Sequence, residues 1–241
     1  MQIEAQAQIE PAVLRIQALL QKIDRLRLPE SSRRDVESIL VRQISKDIER
    51  ILPWQAGHGK RTAVVALRIG QAVHFDPDAM HHLELACLLH DIGILMLPTH
   101  LRTDRSPLDS DSYVTIQNHP RLGATLLEPF PFLREATTLI AHNQERWDGS
   151  GYLYGIRGEF IPVGATILAI ADAFDAIQIP GISDEAVRHM IALRILHVAS
   201  GTQFDPTLVQ IFDKAIVPLV HSESRIARIS TDTEGLYLLC R

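Results

Sequence analysis

The sequence has few of the features that mark secreted or membrane-spanning proteins. Its two cysteines, Cys87 and Cys240, are too few for a disulfide-rich secreted scaffold. The most apolar stretch, residues 83–97, is interrupted by three ionisable residues and is too short to cross a bilayer. The amino terminus has neither the basic segment nor the apolar segment of a signal peptide. We therefore expect a cytoplasmic protein without a membrane anchor.

The chain also lacks an excess of positive charge. Its formal net charge is −5 and its sequence pI is about 6.1, which argues against DNA as a partner, although a local pocket for one nucleotide stays compatible. Hydrophobic residues make up 46% of the 241 residues, enough for one large domain with a helical extension. The unusual count is that of histidine, at 11.

The apolar periodicity predicts an all-α protein, with helices over residues 3–28, 183–199 and 206–219 among others. An apolar stripe runs along the first helix, and it consists of Ile9, Val13, Ile16, Leu20 and Ile23. This stripe could pair with its like in a homodimer or pack on its own domain. We expect an N-terminal helical extension over 1–53, a main domain over 54–221 and a tail over 222–241. The tail has the pattern of a small hairpin.

Local signals place the histidines at helix ends. Asp76 and Pro77 start a helix that ends at Gly93 and carries His90 on its inward face. A further helix, from Ser110 or Asp111, carries His119 near a kink or break at Pro120. Residues 147–158 form a structured loop, and residues 163–176 form an apolar segment with two embedded aspartates.

The chemistry centres on His90 and Asp91. A histidine beside an aspartate at an apolar helix end is costly to bury without partners. A divalent cation offsets that cost, because imidazole nitrogen and carboxylate oxygen both bind Zn, Mn or Fe. Further ligands must come from other segments, and the candidates are His58, His119, His142 and Asp172. Each of these residues, taken alone, is more often a hydrogen-bonded core residue than a ligand.

Taken in order, the motifs resemble the HD-GYP family of the HD metal-dependent phosphohydrolases. The resemblance covers about residues 54–212 and depends on five segments. They are His58-Gly59-Lys60-Arg61, Ala86 to Gly93 with His90-Asp91, His119-Pro120 with Gly123, Glu145 to Tyr152, and Ile167 to Ala176 with Asp172. Phe204-Asp205-Pro206 also fits.

The resemblance implies an HD-domain helical bundle that hydrolyses cyclic di-GMP with paired Fe or Mn ions. It implies that His58, His90, Asp91 and Asp172 hold one metal, and that Asp91 bridges to a second metal near His119. His90 and Asp91 are the expected catalytic residues. His142 is a further candidate ligand for the second metal. The expected partner is a cyclic dinucleotide or another phosphoester.

The resemblance also assigns substrate binding to Arg61, Gly151 and Tyr152. None of these three residues carries a signal of its own in this sequence, so the assignment depends on their places in the motifs.

Four departures from the family pattern concern the second metal or the substrate. The lysine that follows His-Asp-x-Gly is Ile94, and the His-His pair before Glu145 is Asn143-Gln144. The Gly-Tyr-Pro triplet ends in Leu153, and the Ala-Leu-Thr run after Asp172 is replaced by residues 176–180. Amide oxygens are poor ligands for borderline metals. We therefore expect a complete first metal site and a damaged second one.

Three functions remain open at this point. The first is a cyclic-dinucleotide phosphodiesterase with weak turnover, and the second is a non-catalytic module that binds a nucleotide or a protein. The third is a one-metal phosphohydrolase acting on a nucleotide monophosphate. The intact first-metal residues favour the first and third, whereas Ile94, Asn143 and Gln144 favour the second.

Overall fold

The structure of the protein is a computed structural model that describes residues 11–26, 28–103, 109–177 and 185–222. These ranges contain α-helices and short 3-10 turns and no β-strand, which confirms the all-α prediction. The helices are α1 (Pro11–Asp24), α2 (Glu30–Ile51), α3 (His58–Ala72), α4 (Pro77–Leu89), α5 (Thr99–Thr103), α6 (Ser110–Ile116), α7 (His119–Leu127), α8 (Arg134–His142), α9 (Val163–Ala176), α10 (Glu185–Val198) and α11 (Pro206–Ser222).

Two of the helices, α4 and α6, start at a residue whose side chain caps the helix. Asp76 precedes α4 with extended backbone, and its carboxylate accepts a hydrogen bond from Ala79 N at 2.8 Å. Asp109 caps α6 in the same way through Ser112 N, at 2.8 Å. Such caps satisfy backbone N–H groups that have no partner within the helix.

Helix α4 is the centre of the bundle. It packs against α2, α3, α8 and α9, and its run from Leu85 to Leu89 is buried. A helix surrounded on several sides must be apolar nearly all round, so the first polar residues after α4 enter an enclosed space. Those residues are His90 and Asp91.

The N-terminal stripe is buried within the chain's own fold. Val13, Ile16, Leu20 and Ile23 are between 0% and 4% exposed, and α1 packs along α2. The face that suggested a homodimer is therefore already covered by the α1–α2 contact. Ile9 lies outside the described residues, as does the predicted hairpin in the tail.

Of the kink and the break predicted near Pro120, the structure has the break, so His119 starts a new helix instead of lying in the one that begins at Ser110. Helix α6 ends at Ile116 and α7 begins at His119, with Pro120 in its first turn. Proline is well tolerated at this position because the N–H it lacks would have no partner there. Likewise α4 ends at Leu89, before the predicted stop at Gly93, and a 3-10 turn follows over Ile92–Met96.

No helix in the described ranges has the length and apolar character that a bilayer crossing requires.

The stripe predicts a stability difference between two leucines of α1. Leu20 is 0% exposed and Leu14 is 53% exposed. Leu20→Ala should lower the free energy of unfolding by about 2–5 kcal/mol, because it leaves a cavity in the core. Leu14→Ala is the matched control and should change it by less than about 0.5 kcal/mol. Urea unfolding followed by circular dichroism measures both, and equal values would contradict the packing of α1.

Candidate metal centre

Three separate segments bring the predicted first-metal residues together. His58 is the first residue of α3, and it follows Gly57, whose φ of 74° places the backbone in the left-handed region that glycine tolerates. His90 and Asp91 follow the end of α4. Asp172 lies in the last turns of α9. Because α3 and α9 both pack against α4, these ends meet in one place.

The ligand atoms of this cluster lie within coordination range of a common point. Nε2 of His58 is 3.0 Å from Oδ1 of Asp172 and 3.3 Å from Nε2 of His90. Nε2 of His90 is 3.6 Å from the same Asp172 oxygen. Within the described ranges, His58, His90 and Asp172 are the one group of three histidine, cysteine or carboxylate residues that could hold a metal. Asp91 adds Oδ2 at 3.3 Å from Nε2 of His90 and 3.9 Å from Nε2 of His58.

The other ring nitrogen of each histidine is already used. Nδ1 of His90 donates to the carbonyl oxygen of Cys87 at 2.9 Å, and Nδ1 of His119 donates to that of Ile116 at 2.9 Å. A carbonyl only accepts, so both Nδ1 atoms carry hydrogen. Nδ1 of His58 faces a carboxylate at 2.7 Å. The three Nε2 atoms are therefore the ones left to bind a cation, and the residues fit a metal.

His119 approaches Asp91 from the opposite side. Its Nε2 atom is 3.4 Å from Oδ1 of Asp91, and this buried atom has no hydrogen bond within the described part of the chain. Asp91 thus turns one oxygen to His90 and the other to His119. This is the geometry expected of a carboxylate that bridges two cation positions.

Gly93 allows this approach. A Cβ atom added to Gly93 would lie 1.9 Å from the carbonyl oxygen of His119 and 2.5 Å from the backbone nitrogen of Gly123. Only glycine lets the turn after Asp91 pack directly on the start of α7.

The electrostatics of the cluster follow from burial and opposite charge. Burial lowers the pKa of His58, but hydrogen bonds to Asp172 and Asp175 outweigh it and raise the pKa to about 9. Burial raises the pKa of Asp91, and the neighbouring His90 and His119 overcome this and lower it to about 2. The carboxylates are thus ionised at neutral pH. Protons compete with a cation for the same Nε2 atoms, so metal binding should weaken as pH falls.

Gln55 is a site residue that the sequence reasoning missed. It lies in the short 3-10 turn between α2 and α3, it is 5% exposed, and its side-chain Nε2 donates a hydrogen bond to Oδ2 of Asp91. Nothing in the local pattern marks this glutamine, because its role depends on the packing of the turn against the end of α4.

Asp175 was also missed, although a signal was present. It lies three residues after Asp172 on α9, so the two carboxylates share a helix face. Its Oδ2 accepts from Nδ1 of His58 at 2.7 Å. Arg61, which was predicted to bind substrate, donates to Asp175 through Nε at 2.6 Å and through Nη2 at 2.9 Å. No observation tests the substrate-binding role of Arg61.

Apart from His119, the residues predicted to lie near a second metal form no hydrogen bond or ion pair with Asp91 in the described part of the chain. His142 packs its ring against Tyr154, with 4.8 Å between ring centroids, and no ion pair within the described ranges joins it to Asp91. Asn143 is 2% exposed, and neither of its amide atoms has a hydrogen-bond partner in the described residues. Gln144 accepts a hydrogen bond from the Tyr152 hydroxyl at 2.8 Å. The geometry thus leaves His119 and Asp91 as the residues that face the second position.

Gly151 and Tyr152 lie in the loop that follows α8. A Cβ atom at Gly151 would come within 2.4 Å of the backbone nitrogen of Arg146, so this glycine lets the loop fold back on itself. Burial, then the charges of Tyr113, Asp172 and Asp91, raises the pKa of Tyr152 above its usual range. Tyr152 therefore lies near the cluster, while its role toward substrate stays a prediction.

Comparison with known proteins agrees with the all-helical HD fold. The sequence profile described as "HD domain" matches residues 42–208. A probable cyclic di-GMP phosphodiesterase of Vibrio cholerae is 33% identical over 135 residues, covering 53% of this chain and 31% of that protein. The cyclic di-GMP phosphodiesterase response regulator RpfG of Xanthomonas campestris is 32% identical over 152 residues, covering 62% and 40%.

Among solved structures, an HDG"Y"P protein from Bdellovibrio bacteriovorus superimposes with a TM-score of 0.56 at 18% identity. The superposition includes 84% of this chain and 69% of the Bdellovibrio chain. At this identity the likeness shows the fold alone. The chain spans less than half the length of these two curated relatives.

The fold and the cluster define an all-helical domain with a buried group of histidines and aspartates that could hold a metal. The chain belongs to the HD domain family, and the resemblance stated above is confirmed by its curated relatives. The match begins inside α2 rather than at residue 54. The predicted three-part division of the chain stays a prediction.

The contact at Gly93 predicts a selective effect on the metal centre. Gly93→Ala should reduce the metal bound per chain, because the added Cβ forces the turn carrying Asp91 away from α7. Gly70→Ala is the matched control, since its Cβ would meet the flexible side chain of Met80 instead of backbone. Metal analysis of both purified variants, with circular dichroism to confirm folding, checks this. Equal metal content would contradict the role of the close contact.

Proposed function

We propose that this chain is the metal-dependent phosphodiesterase domain of a protein that acts on cyclic di-GMP, with turnover well below that of a member with the full motif. The observation that carries the proposal is the convergence of three Nε2 atoms with the carboxylates of Asp91 and Asp172. We propose Fe or Mn as the metal, since imidazole and carboxylate ligands suit both.

The residues have distinct roles in this proposal. Bound cations would neutralise charge on a phosphodiester and lower the pKa of a bound water. His58, His90, Asp91 and Asp172 would hold one cation, and Asp91 with His119 would hold a second. Gln55, by donating to Oδ2 of Asp91, keeps that carboxylate oriented with its other oxygen toward His119.

The substrate class comes from the relatives. Both curated proteins are named for cyclic di-GMP, and the match to each includes only part of that protein. The cyclic dinucleotide is therefore a proposal for this chain.

The cytoplasmic location also stays a prediction. A homodimer through the N-terminal helices would need a surface other than the buried stripe of α1.

Reduced turnover is expected because residues that the family uses at the second metal and at the substrate are replaced in this chain. Gln144, at the place of a family histidine, is held by Tyr152, and Asn143 supplies no imidazole. Ile94, at the place of the family lysine, is 8% exposed and packs in the core. Losing one electrostatic contact to a transition state typically costs about a hundredfold in rate, and such losses do not add independently.

The same observations support a second candidate, a module that binds the nucleotide or a protein without turning it over. The Gln144–Tyr152 hydrogen bond favours it, because it engages the side chain at a position where the family pattern has a ligand histidine. The two candidates predict the same metal at the first position and differ in turnover.

The test compares three proteins loaded with Mn or Fe and supplied with cyclic di-GMP. Wild type should hydrolyse it slowly, and Asn143→His/Gln144→His should gain on the order of tenfold or more, because two imidazoles return beside the second position. Asp172→Ala should abolish turnover by removing a first-position ligand. Product formation is followed by chromatography, and metal content is measured for each protein.

The remaining outcomes separate the candidates. Fast turnover by wild type would contradict the proposal that its turnover is lower than that of a family member with the full motif. Tight nucleotide binding without turnover by either wild type or the double variant would favour the binding module. Ile94→Lys is kept out of the double variant because it would place an ammonium group at a buried position, which destabilises the fold for reasons unrelated to catalysis.

A further inference from the structure

Arg61 and Asp175 form an ordered pair beside the metal cluster. Asp175 is 11% exposed at its side chain, and each of its carboxylate oxygens accepts from the guanidinium of Arg61, at 2.6 and 2.9 Å. The remaining Nη1 of Arg61 donates to the carbonyl oxygen of Ala56 at 3.0 Å. All three guanidinium nitrogens are thus engaged within the chain.

The same carboxylate holds His58. Its Oδ2 is 2.7 Å from Nδ1 of His58, while Nε2 of His58 lies 3.0 Å from Asp172. Since Asp172 and Asp175 are three residues apart on α9, one helix supplies an oxygen to each side of the imidazole. A carboxylate on Nδ1 keeps hydrogen on that atom and leaves the Nε2 lone pair for the cation.

We propose that Asp175 and Arg61 are positioning residues for the ligand His58, with Asp175 fixing the tautomer and ring plane and Arg61 fixing Asp175. Arg61 then acts on the metal site through Asp175 instead of binding a substrate phosphate. This inference rests on the proposed metal ligands and not on the hydrolysis of any nucleotide.

The bidentate geometry explains why arginine occupies position 61. Two parallel N–H···O bonds hold both oxygens of a carboxylate in one plane, which the single ammonium of lysine cannot do. The pair joins the first turn of α3 to the end of α9, so it also fixes the two helix ends that carry His58 and Asp172.

The experiment measures Zn²⁺ affinity by competition with a chelator, using the whole chain. Asp175→Ala should weaken Zn²⁺ binding by roughly 10- to 100-fold, as expected for a group that orients a ligand. Arg61→Gln should weaken it by a smaller factor, because Arg61 acts through Asp175. Two matched controls remove similar contacts elsewhere. Asp213→Ala removes the carboxylate that pairs with His197, and Arg42→Gln removes the guanidinium that pairs with Glu84. Both controls should keep wild-type affinity.

A second readout distinguishes orientation from general destabilisation. In the Zn²⁺-loaded wild type, the Nδ1 proton of His58 should give a sharp downfield NMR signal protected from exchange, and Asp175→Ala should lose it. Asp175→Asn keeps the shape and one accepting oxygen, so it should retain the signal and an intermediate affinity. If Asp175→Ala does not fold, the affinity and the NMR signal of Asp175→Asn test the inference in its place.

The outcomes are decisive in each direction. Unchanged Zn²⁺ affinity in both Asp175→Asn and Arg61→Gln would overturn the inference. If Arg61→Gln leaves metal affinity intact but weakens cyclic di-GMP binding at saturating metal, Arg61 contacts substrate instead. If wild type binds no metal at all, the proposed metal ligands fail as well, which separates that failure from failure of the positioning role.

Discussion

The contact between Asp91 and the histidines around it is the interaction on which the rest of the site depends. Asp91 follows a helix whose last residues are all buried, so its carboxylate enters a space walled by α3, α7 and α9. Burying a charge without partners would cost several kcal/mol or more. The fold offsets that cost by directing His90, His58 and His119 at the two oxygens, and the same arrangement creates a place for cations.

The close backbone contact at Gly93 follows from this constraint. For His119 to reach Asp91, α7 must begin directly against the turn after α4, and a side chain at residue 93 would prevent it. Outside the cluster, Gln55 bonds to Asp91 and Asp175 bonds to His58. The backbone carbonyls of Cys87 and Ile116 accept from Nδ1 of His90 and of His119, respectively. Such outer partners orient ligands and adjust their basicity.

The residues proposed for the two cations differ in how far they match the family pattern. His58, His90, Asp91 and Asp172 are all present and meet in one cluster. His119 faces Asp91, whereas Gln144 and Tyr152 bond to one another. Coupled sites of this kind lose rate in a non-additive way when one member changes, so the consequence for turnover cannot be summed from single substitutions. The geometry of His58, His90, Asp91 and Asp172 therefore supports metal binding more directly than it supports fast hydrolysis.

The sequence alone determined the all-helical architecture, most helix positions and the His and Asp residues that meet in the cluster. These features depend on local rules, such as the 3.6-residue period, the Asp76 cap and the ordered His and Asp motifs, which a linear pattern displays. The sequence left a kink or a break open near Pro120, because proline both kinks helices and starts them, and the structure has a break that puts His119 at the start of α7. Only the tertiary structure decided that the α1 stripe is buried on α2, that Gln55 holds Asp91, and that Arg61 bonds to Asp175. Each of these depends on residues separated by many positions in sequence, whose approach is set by helix packing and leaves no periodic signal along the chain.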